Sequence, residues 1–152
     1  MNNDTRLAVA THILALLSFA GKEYRSSDLL ALSVNTNPVV VRRLTSQLKK
    51  AGLVEVRRRL GGTTLNRRPE DITLLDVYKA VVPKTSACPF YLHRTPNCDC
   101  YIGRNIHEAL ETPFAMVNQA MRESLAKTTI ADIAAFIRVR ETKEKANGNS
   151  GQ

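Results

Sequence analysis

Tryptophan is absent from this 152-residue chain, and aromatic residues make up only 5% of it. A surface that stacks unpaired bases needs several rings set among basic groups. Phe90, Tyr91 and Tyr101 are the only close group, and they lie outside the basic part of the chain, so binding of single strands is poorly supplied. A membrane-spanning run is also lacking. The most apolar stretch, Arg6 to Ala20, is too short and carries Thr11 and His12, whereas a span needs about 20 predominantly apolar residues. That stretch follows an Arg and ends in small residues, as a signal peptide would, but Asp4, Thr11 and His12 fit such a segment badly. There is no Gly-rich phosphate loop, paired-histidine zinc helix or nucleophile elbow, which leaves little for an enzyme. Cys88 with His93 or His107 is the one nucleophile-base pair to be drawn, and nearness in sequence does not make such a pair. No internal repeat is apparent.

Acidic residues are scarce in one particular place. Residues 42–68 hold nine Lys and Arg against a single acid, Glu55, and this window alone carries a net +8. The whole chain is also +8, from 22 basic and 14 acidic side chains, so everything outside the window sums to zero. A chain that is merely soluble and basic spreads its charge, whereas focusing it on one short segment is the electrostatic footprint of phosphate binding. Any one of these residues taken alone would read as part of a solvated face.

The local pattern around the window predicts its structure. Ser26 or Ser27 supplies a capping oxygen for a helix in which Asp28 sits at the positive end of the dipole. That helix ends near Val34, because Asn35, Thr36 and Asn37 compete for backbone hydrogen bonds and Pro38 suits the first turn of a new helix. From Pro38 to Ala51, Val41, Leu44 and Leu48 make one apolar stripe and leave Val39, Arg42, Arg43 and Ser46 on another face. Gly52 closes the helix with a left-handed cap. Leu53, Val54 and Val56 then begin a strand running into Arg57, Arg58 and Arg59, and Gly61 and Gly62 allow the reversal into Thr63, Thr64 and Leu65. Helix, turn, basic helix and basic hairpin in that order are the plan of a winged helix-turn-helix.

The flanking segments complete a mainly α fold. Leu7, Val9, Ala10, Ile13, Leu14, Leu16 and Leu17 give the N-terminal helix a broad apolar face that serves as scaffold, with His12 at its core edge. After the wing, Thr73 and Asp76 form a capping-box-like start to a helix that Pro83 stops. Residues 84–103 have no clear period and read as a long loop. A long helix starts near Asn105 and carries Ile106, Leu110, Phe114, Val117, Met121 and Leu125, with Pro113 placed to kink or break it. Thr128 or Thr129 caps a closing helix with Ile130, Ile133, Ala134 and Ile137, and from Glu141 the composition reads as a disordered tail. The stripe from Ile106 to Leu125 exceeds what one small winged helix can cover, which predicts a homodimer. The division expected is 1–82 winged helix-turn-helix, 83–104 cysteine-containing loop, 105–140 dimerisation helices and 141–152 tail.

Within this plan Arg42 and Arg43 are the candidates for base reading, with Thr36, Asn37, Pro38, Val39 and Ser46 beside them and Ser27 at the preceding helix start. Arg57, Arg58, Arg59, Lys49 and Lys50 suit phosphate contacts, and Gly61, Gly62, Thr63 and Thr64 are placed at the wing tip near the backbone or minor groove. The expected partner is double-stranded DNA. A winged helix used for protein contacts is the opposing reading, and it would need apolar residues on the face where Val39 is joined by Arg42 and Arg43.

Leu48-Lys49-Lys50-Ala51-Gly52-Leu53-Val54, then Gly61-Gly62 with Leu65, and above all Pro69-Glu70-Asp71-Ile72-Thr73-Leu74-Leu75-Asp76-Val77-Tyr78-Lys79-Ala80-Val81 carry a further likeness. The chain resembles the Rrf-type winged helix-turn-helix transcription factors, the family of IscR, NsrR and CymR, over nearly its whole length. The resemblance implies a bacterial cytoplasmic homodimer, held largely by a long C-terminal dimerisation helix, whose two recognition helices reach one pseudo-palindromic operator; the regulator expected is a repressor. Family wings commonly carry an aromatic after the double glycine, where Thr63 stands here.

Cluster-binding members of the family place three cysteines at well-separated spacings in the loop before the long helix. Cys88, Cys98 and Cys100 occupy that loop, but nine residues separate the first two and one separates the last pair, so the iron-sulfur ligation is not carried over. Three readings stay open. The thiols respond to redox state, with Arg94, Arg104, His93 and His107 available to lower a pKa; or they bind zinc or iron together with an imidazole, making a metal-sensing regulator of the same fold; or they do nothing. The spacing disfavours a resident cofactor and leaves the metal ligands unknown.

Overall fold

The computed structural model describes residues 3–21, 23, 25–57, 61–82, 90 and 92–148. Helix α1 (Asn3–Ala20) is the scaffold, and its Ala10, Ile13, Leu14 and Leu17 are fully buried. Helices α2 (Ser27–Val34), α3 (Pro38–Lys50) and α4 (Leu74–Val81) pack against it, joined by a two-stranded antiparallel sheet of β1 (Val54–Arg57) and β2 (Gly62–Leu65). The register pairs Val54 with Leu65 and Arg57 with Gly62. One continuous core results, built from α1, Leu30, the α3 stripe of Val41, Leu44 and Leu48, Leu53, Ile72, Val77, Val81 and Ile130.

Chemistry at the boundaries fixes these elements. The Ser26 side chain accepts from Leu29 N at 3.2 Å and caps α2. Asn35 then takes a left-handed φ of 55°, tolerable for Asn, and returns its N–H to the last α2 carbonyls. Asn37 Oδ1 accepts from Val39 N at 2.8 Å, with Pro38 in the first turn of α3. Gly52, at φ 72°, ends α3 and delivers the chain to β1. At α4 the capping box is complete: Asp76 N donates to Thr73 Oγ1 at 3.1 Å and Thr73 N donates to Asp76 Oδ2 at 3.0 Å. The sequence pattern points to the Ser26, Gly52 and Thr73 caps; Asn35 and Asn37 read there only as the break between α2 and α3, and their capping roles are added by the structure.

The C-terminal half departs from the sequence reading in two places, the start of α5 and the extent of α6. Helix α5 (Tyr101–Ala126) starts four residues before Asn105, so residues 101–104 belong to the helix and not to the loop. Asn97 Oδ1 accepts from Asp99 N, Cys100 N donates to the Asn97 carbonyl, and Gly103 packs so closely that an added Cβ would fall on that carbonyl oxygen. The glycine that looked like loop composition is what allows the turn to sit on the helix. Pro113 lies inside α5 without ending it. Helix α6 (Ile130–Gly148) continues past Glu141, where a disordered tail was expected, and Lys145 Nζ pairs with Glu141 Oε1 at 3.0 Å one turn apart. A Lys-Glu-Ala composition that buries nothing is compatible with a solvated helix as well as with disorder.

Helix α6 is tied back to the winged helix at its start. Ile130 N donates to Ile72 O and Leu74 N to Thr128 O, both at 2.9 Å, and Ile130 and Ala134 are buried. From there α6 runs against α1. Helix α5 packs partly on α4, and Phe90 covers one place on its stripe, with ring centroids 5.8 Å from Phe114. No residue of α5 is fully buried within the chain.

Candidate nucleic-acid interface

The period of α3 dictates what it shows to solvent. With Val41, Leu44 and Leu48 at 0 to 1% exposure, positions 42, 46 and 49 form a row toward the wing, and 39, 43, 46 and 50 form a second row facing outward. Val39 is 64% exposed. Thr45 is buried and its hydroxyl donates to the Val41 and Arg42 carbonyls, so it serves the helix.

Between α3 and the hairpin lies an open cleft of about 410 Å³. Of the residues expected at the DNA contact, it brings together Ser27, Arg42, Ser46, Lys49, Arg57, Gly61, Gly62 and Thr63. Thr36, Asn37, Pro38, Val39, Arg43 and Thr64 are not part of its wall. Asn37 has its side-chain oxygen committed to the α3 cap, and Thr36 donates its backbone N–H to Ala31 O. Arg58 and Arg59 lie outside the described residues.

Thr63 and Thr64 require a correction. The sequence pattern puts them at the wing tip, whereas in the structure they are 3% and 7% exposed. Arg25 forms an antiparallel bridge with Thr63, donating its N–H to Thr63 O at 2.9 Å and accepting from Thr63 N at 2.8 Å. Thr64 Oγ1 reaches Gly21 O at 3.5 Å. An isolated bridge at Arg25 thus covers the outer edge of β2, and both threonines lie within the strand ladder, paired with Val56 and Glu55. Gly61, immediately before β2, takes φ 69°, a conformation L side chains rarely adopt. Arg25 carries no strand pattern around it, so nothing in the sequence signals the pairing.

The charges are partly engaged. Arg42 Nη2 lies 3.5 Å from Asp28 Oδ1 across the helix-turn-helix, and Arg57 Nε donates to Glu55 Oε1 at 2.9 Å. Arg68 makes a two-pronged contact with Asp71, Nε to Oδ2 at 2.9 Å and Nη2 to Oδ1 at 3.3 Å. That hydrogen bond holds the Asp71 carboxyl below its ordinary range and raises the Arg68 pKa further, so one charge of the basic window is spent locally.

The described part of the cysteine loop sits at the start of α5. Cys98 and Cys100 are free and exposed, and Cys88 lies outside the described residues. Cys100 is the N-cap residue of α5. The backbone N–H of Gly103, and then that of Ile102, favour its thiolate and hold the thiol below its ordinary pKa, although no capping hydrogen bond of regular geometry forms. His107 Nε2 lies 2.7 Å from His93 O, and the two imidazoles meet edge to face at 5.3 Å.

A mainly helical winged helix-turn-helix with its charge gathered on one helix and one hairpin defines a class, the winged-helix regulators. Comparison with known proteins identifies the family: a model described as "Iron-dependent Transcriptional regulator" matches residues 3–135, and the chain belongs to that family, Rrf2. It is 45% identical over 130 residues to YwnA of Bacillus subtilis, named as an HTH-type transcriptional regulator, covering 86% of this chain and 95% of that protein. Among solved structures it is similar to one described as a DNA-binding protein, with 42% identity, TM-score 0.68, and 84% of this chain and 97% of the other covered. A transcriptional regulator from Lactobacillus plantarum superposes with TM-score 0.72 at 27% identity, covering 96% and 98%. CymR of B. subtilis, at 23% identity and TM-score 0.64 over 89% of this chain and 97% of that one, shares the fold. The family is one of regulators and not of enzymes.

The family description raises iron, and the donors were compared with that requirement. Among the described residues no three His, Cys, Asp or Glu side chains are grouped to hold a metal ion. The Cys98 thiol donates toward the Pro96 carbonyl at 3.6 Å, while Cys100 stands at the N-cap position of α5. Cys88 lies outside the described residues, and the donors that are described form no such group; no step below is routed through a metal.

Proposed function

We propose that this protein is a sequence-specific DNA-binding transcriptional regulator, acting as a cytoplasmic homodimer that represses from a pseudo-palindromic operator. The observation that carries this reading is the cleft in which Arg42, Ser46 and Lys49 of α3 face Arg57 of the wing. A helix of this exposure and charge fits a major groove, with Arg42 and Arg43 aimed at base edges and Lys49, Lys50 and Arg57 at phosphates. Residues 1–82 read DNA in this scheme and residues 105–140 join the copies. The partly exposed stripe of α5, with Val117 at 47%, supports a second copy as its cover. No helix among the described residues is long and apolar enough to cross a membrane.

Within this reading the loop at the start of α5 senses thiol oxidation. The support is Cys100, exposed and with a lowered pKa at the head of the helix that would join the two copies. A small change there alters the separation of the recognition helices and loses half-site contacts on a fixed operator. A gel shift against genomic fragments, run with and without reductant, tests both levels. Retarded fragments that share a palindrome support the regulator, and their release by oxidant supports the sensor. Absence of any sequence preference over competitor DNA removes the first reading, and indifference to oxidant removes only the second.

A further inference from the structure

Helix α6 does not close tightly on α1. Two adjoining hollows, of about 590 and 520 Å³, lie along their contact and share His12, Ala15 and Ile137. Each falls within the size of small-molecule sites, about 300–1,000 Å³. In the first, Leu16, Phe19 and Ile137 give apolar walls, and Phe19 and Ile137 are each left 43% exposed. In the second the walls are Leu7, Leu74 and Ile133. Neither hollow touches the cleft between α3 and the wing.

The polar groups of the groove are few. Arg138 stands over the Phe19 ring, its guanidinium carbon 4.8 Å from the centroid. His12 Nε2 is 3.1 Å from Ser33 Oγ at the same end. The acid on this wall, Glu141, is paired with Lys145 at 3.0 Å, and the Thr142 hydroxyl donates to the Arg138 carbonyl. A guanidinium therefore faces the mouth with no carboxylate bound to it among the described residues, and an imidazole and a hydroxyl lie nearby. In the second hollow the Thr11 hydroxyl oxygen is buried and has no hydrogen-bond partner among the described residues. A buried hydroxyl left unpaired is costly, so a ligand that offers it a partner is favoured.

We propose that this groove binds a small organic anion with an apolar, aromatic body, the body lying on Phe19, Leu16 and Ile137 and the anionic group meeting Arg138. Flat rings suit a wall made of one exposed aromatic and branched aliphatics, and a planar guanidinium already seated on an aromatic face is oriented for a carboxylate or sulfonate. The site lies between α1, which packs on α2 and α3, and α6, which follows directly from α5. It shares no lining residue with the cleft between α3 and the wing, so it survives or fails independently of the DNA reading.

The test uses the full chain and two fluorescent probes with closely similar bodies, anilinonaphthalenesulfonate, which is anionic, and phenylnaphthylamine, which is not. The wild type is expected to bind one anilinonaphthalenesulfonate per chain with enhanced fluorescence. Arg138→Gln should weaken that binding by about tenfold, the loss of one charge-assisted contact, and leave phenylnaphthylamine unchanged. Ile137→Trp, at a half-exposed position, should fill the groove and displace both probes. In a Val117→Glu background, which alters only the exposed face of α5, Arg138→Gln should cause the same loss of anilinonaphthalenesulfonate binding as in the wild type. Probe binding that ignores Arg138→Gln, or that disappears with Val117→Glu, overturns the proposal and assigns the probe to an apolar face such as the dimer stripe. Thermal unfolding of each variant identifies loss of folding, and should Ile137→Trp not fold, the charge comparison at Arg138 decides alone.

Discussion

Asp28 and Arg42 form an ion pair between the first and second helices of the helix-turn-helix, Oδ1 to Nη2 at 3.5 Å. Both side chains are more than half exposed, so the pair adds little stability. Its consequence is for recognition. A guanidinium held by a carboxylate must exchange that partner for a base edge, and the same carboxylate repels phosphates on either side. Asp28→Asn is expected to raise affinity for all DNA several-fold and to narrow the ratio between operator and scrambled sequence. Arg42→Ala is expected to lose discrimination at one base pair, worth about 1–3 kcal/mol. Anisotropy titrations on the two duplexes measure both, and an unchanged ratio in both variants would remove Arg42 from base reading.

Lys49 projects into the cleft beside Arg57, and a lysine there acts as a point charge on a phosphate. Lys49→Ala should weaken every sequence alike and lower the slope of log affinity against log salt by about 0.9. A sequence-dependent loss at constant slope would move Lys49 from the backbone to a base.

How much of this was legible follows from which forces are local. The α3 stripe, the Thr73 cap and the Gly52 stop are set by residues within a few positions of one another, and periodicity and capping chemistry reveal them. The burial of Thr63 and Thr64 depends on Arg25, nearly forty residues away in sequence, and its single bridge leaves no alternating pattern. The early start of α5 depends on Gly103 accepting the Asn97 turn, which composition reads as loop. The Asp28 contact was hidden for a different reason: Asp28 already has a sufficient role at the α2 dipole, and nothing near it in sequence points to a second.

The Thr73 capping box also offers a stability test, because α4 and α6 both begin there, with Thr73 bridged to Thr129. Thr73→Ala should lower unfolding free energy by about 0.5–2 kcal/mol in denaturant titrations. Beside it, Asp132 accepts from Thr129 N at 2.8 Å and from the Thr129 hydroxyl, and these bonds hold its pKa below the ordinary carboxyl value. A folded-state pKa that is lowered contributes stability that is present above the unfolded-state value and is lost as pH falls through the folded one. The Asp132→Asn variant should therefore be less acid-sensitive than wild type in that window. Parallel acid titrations of the two proteins would exclude a stabilising role for this carboxylate.

If α5 joins two copies, a charge placed on its exposed stripe should separate them. Val117 is 47% exposed and sits in the same row as Leu110, Phe114 and Met121. Val117→Glu would set two carboxylates into an apolar contact without disturbing the chain's own core. The expected result in sedimentation is a monomer that keeps the helicity of wild type and binds single half-sites more weakly than wild type binds the full operator. A dimer of wild-type strength in that variant would place the interface elsewhere.

Cys100 is the thiol whose chemistry the fold biases most directly. The N–H groups of Gly103 and Ile102 favour its thiolate, so it remains reactive at a pH where an ordinary thiol is protonated. Iodoacetamide labelling followed by peptide mass spectrometry should show the Cys100 midpoint displaced to lower pH relative to the same residue in denatured chain. Ile102→Pro removes one of the two N–H groups at a helix position that tolerates proline, and should move the midpoint part of the way back. A disulfide between Cys98 and Cys100 spans a single residue and is strained, hence readily reduced, so Cys88 of the same or the other chain is the easier partner for a Cys100 disulfide. Operator release by a disulfide stressor should then be blunted in Cys88→Ser and in Cys100→Ser alike. A variant lacking all three cysteines that binds and releases the operator as wild type does under oxidant would end the sensor reading and leave the DNA-binding reading untouched.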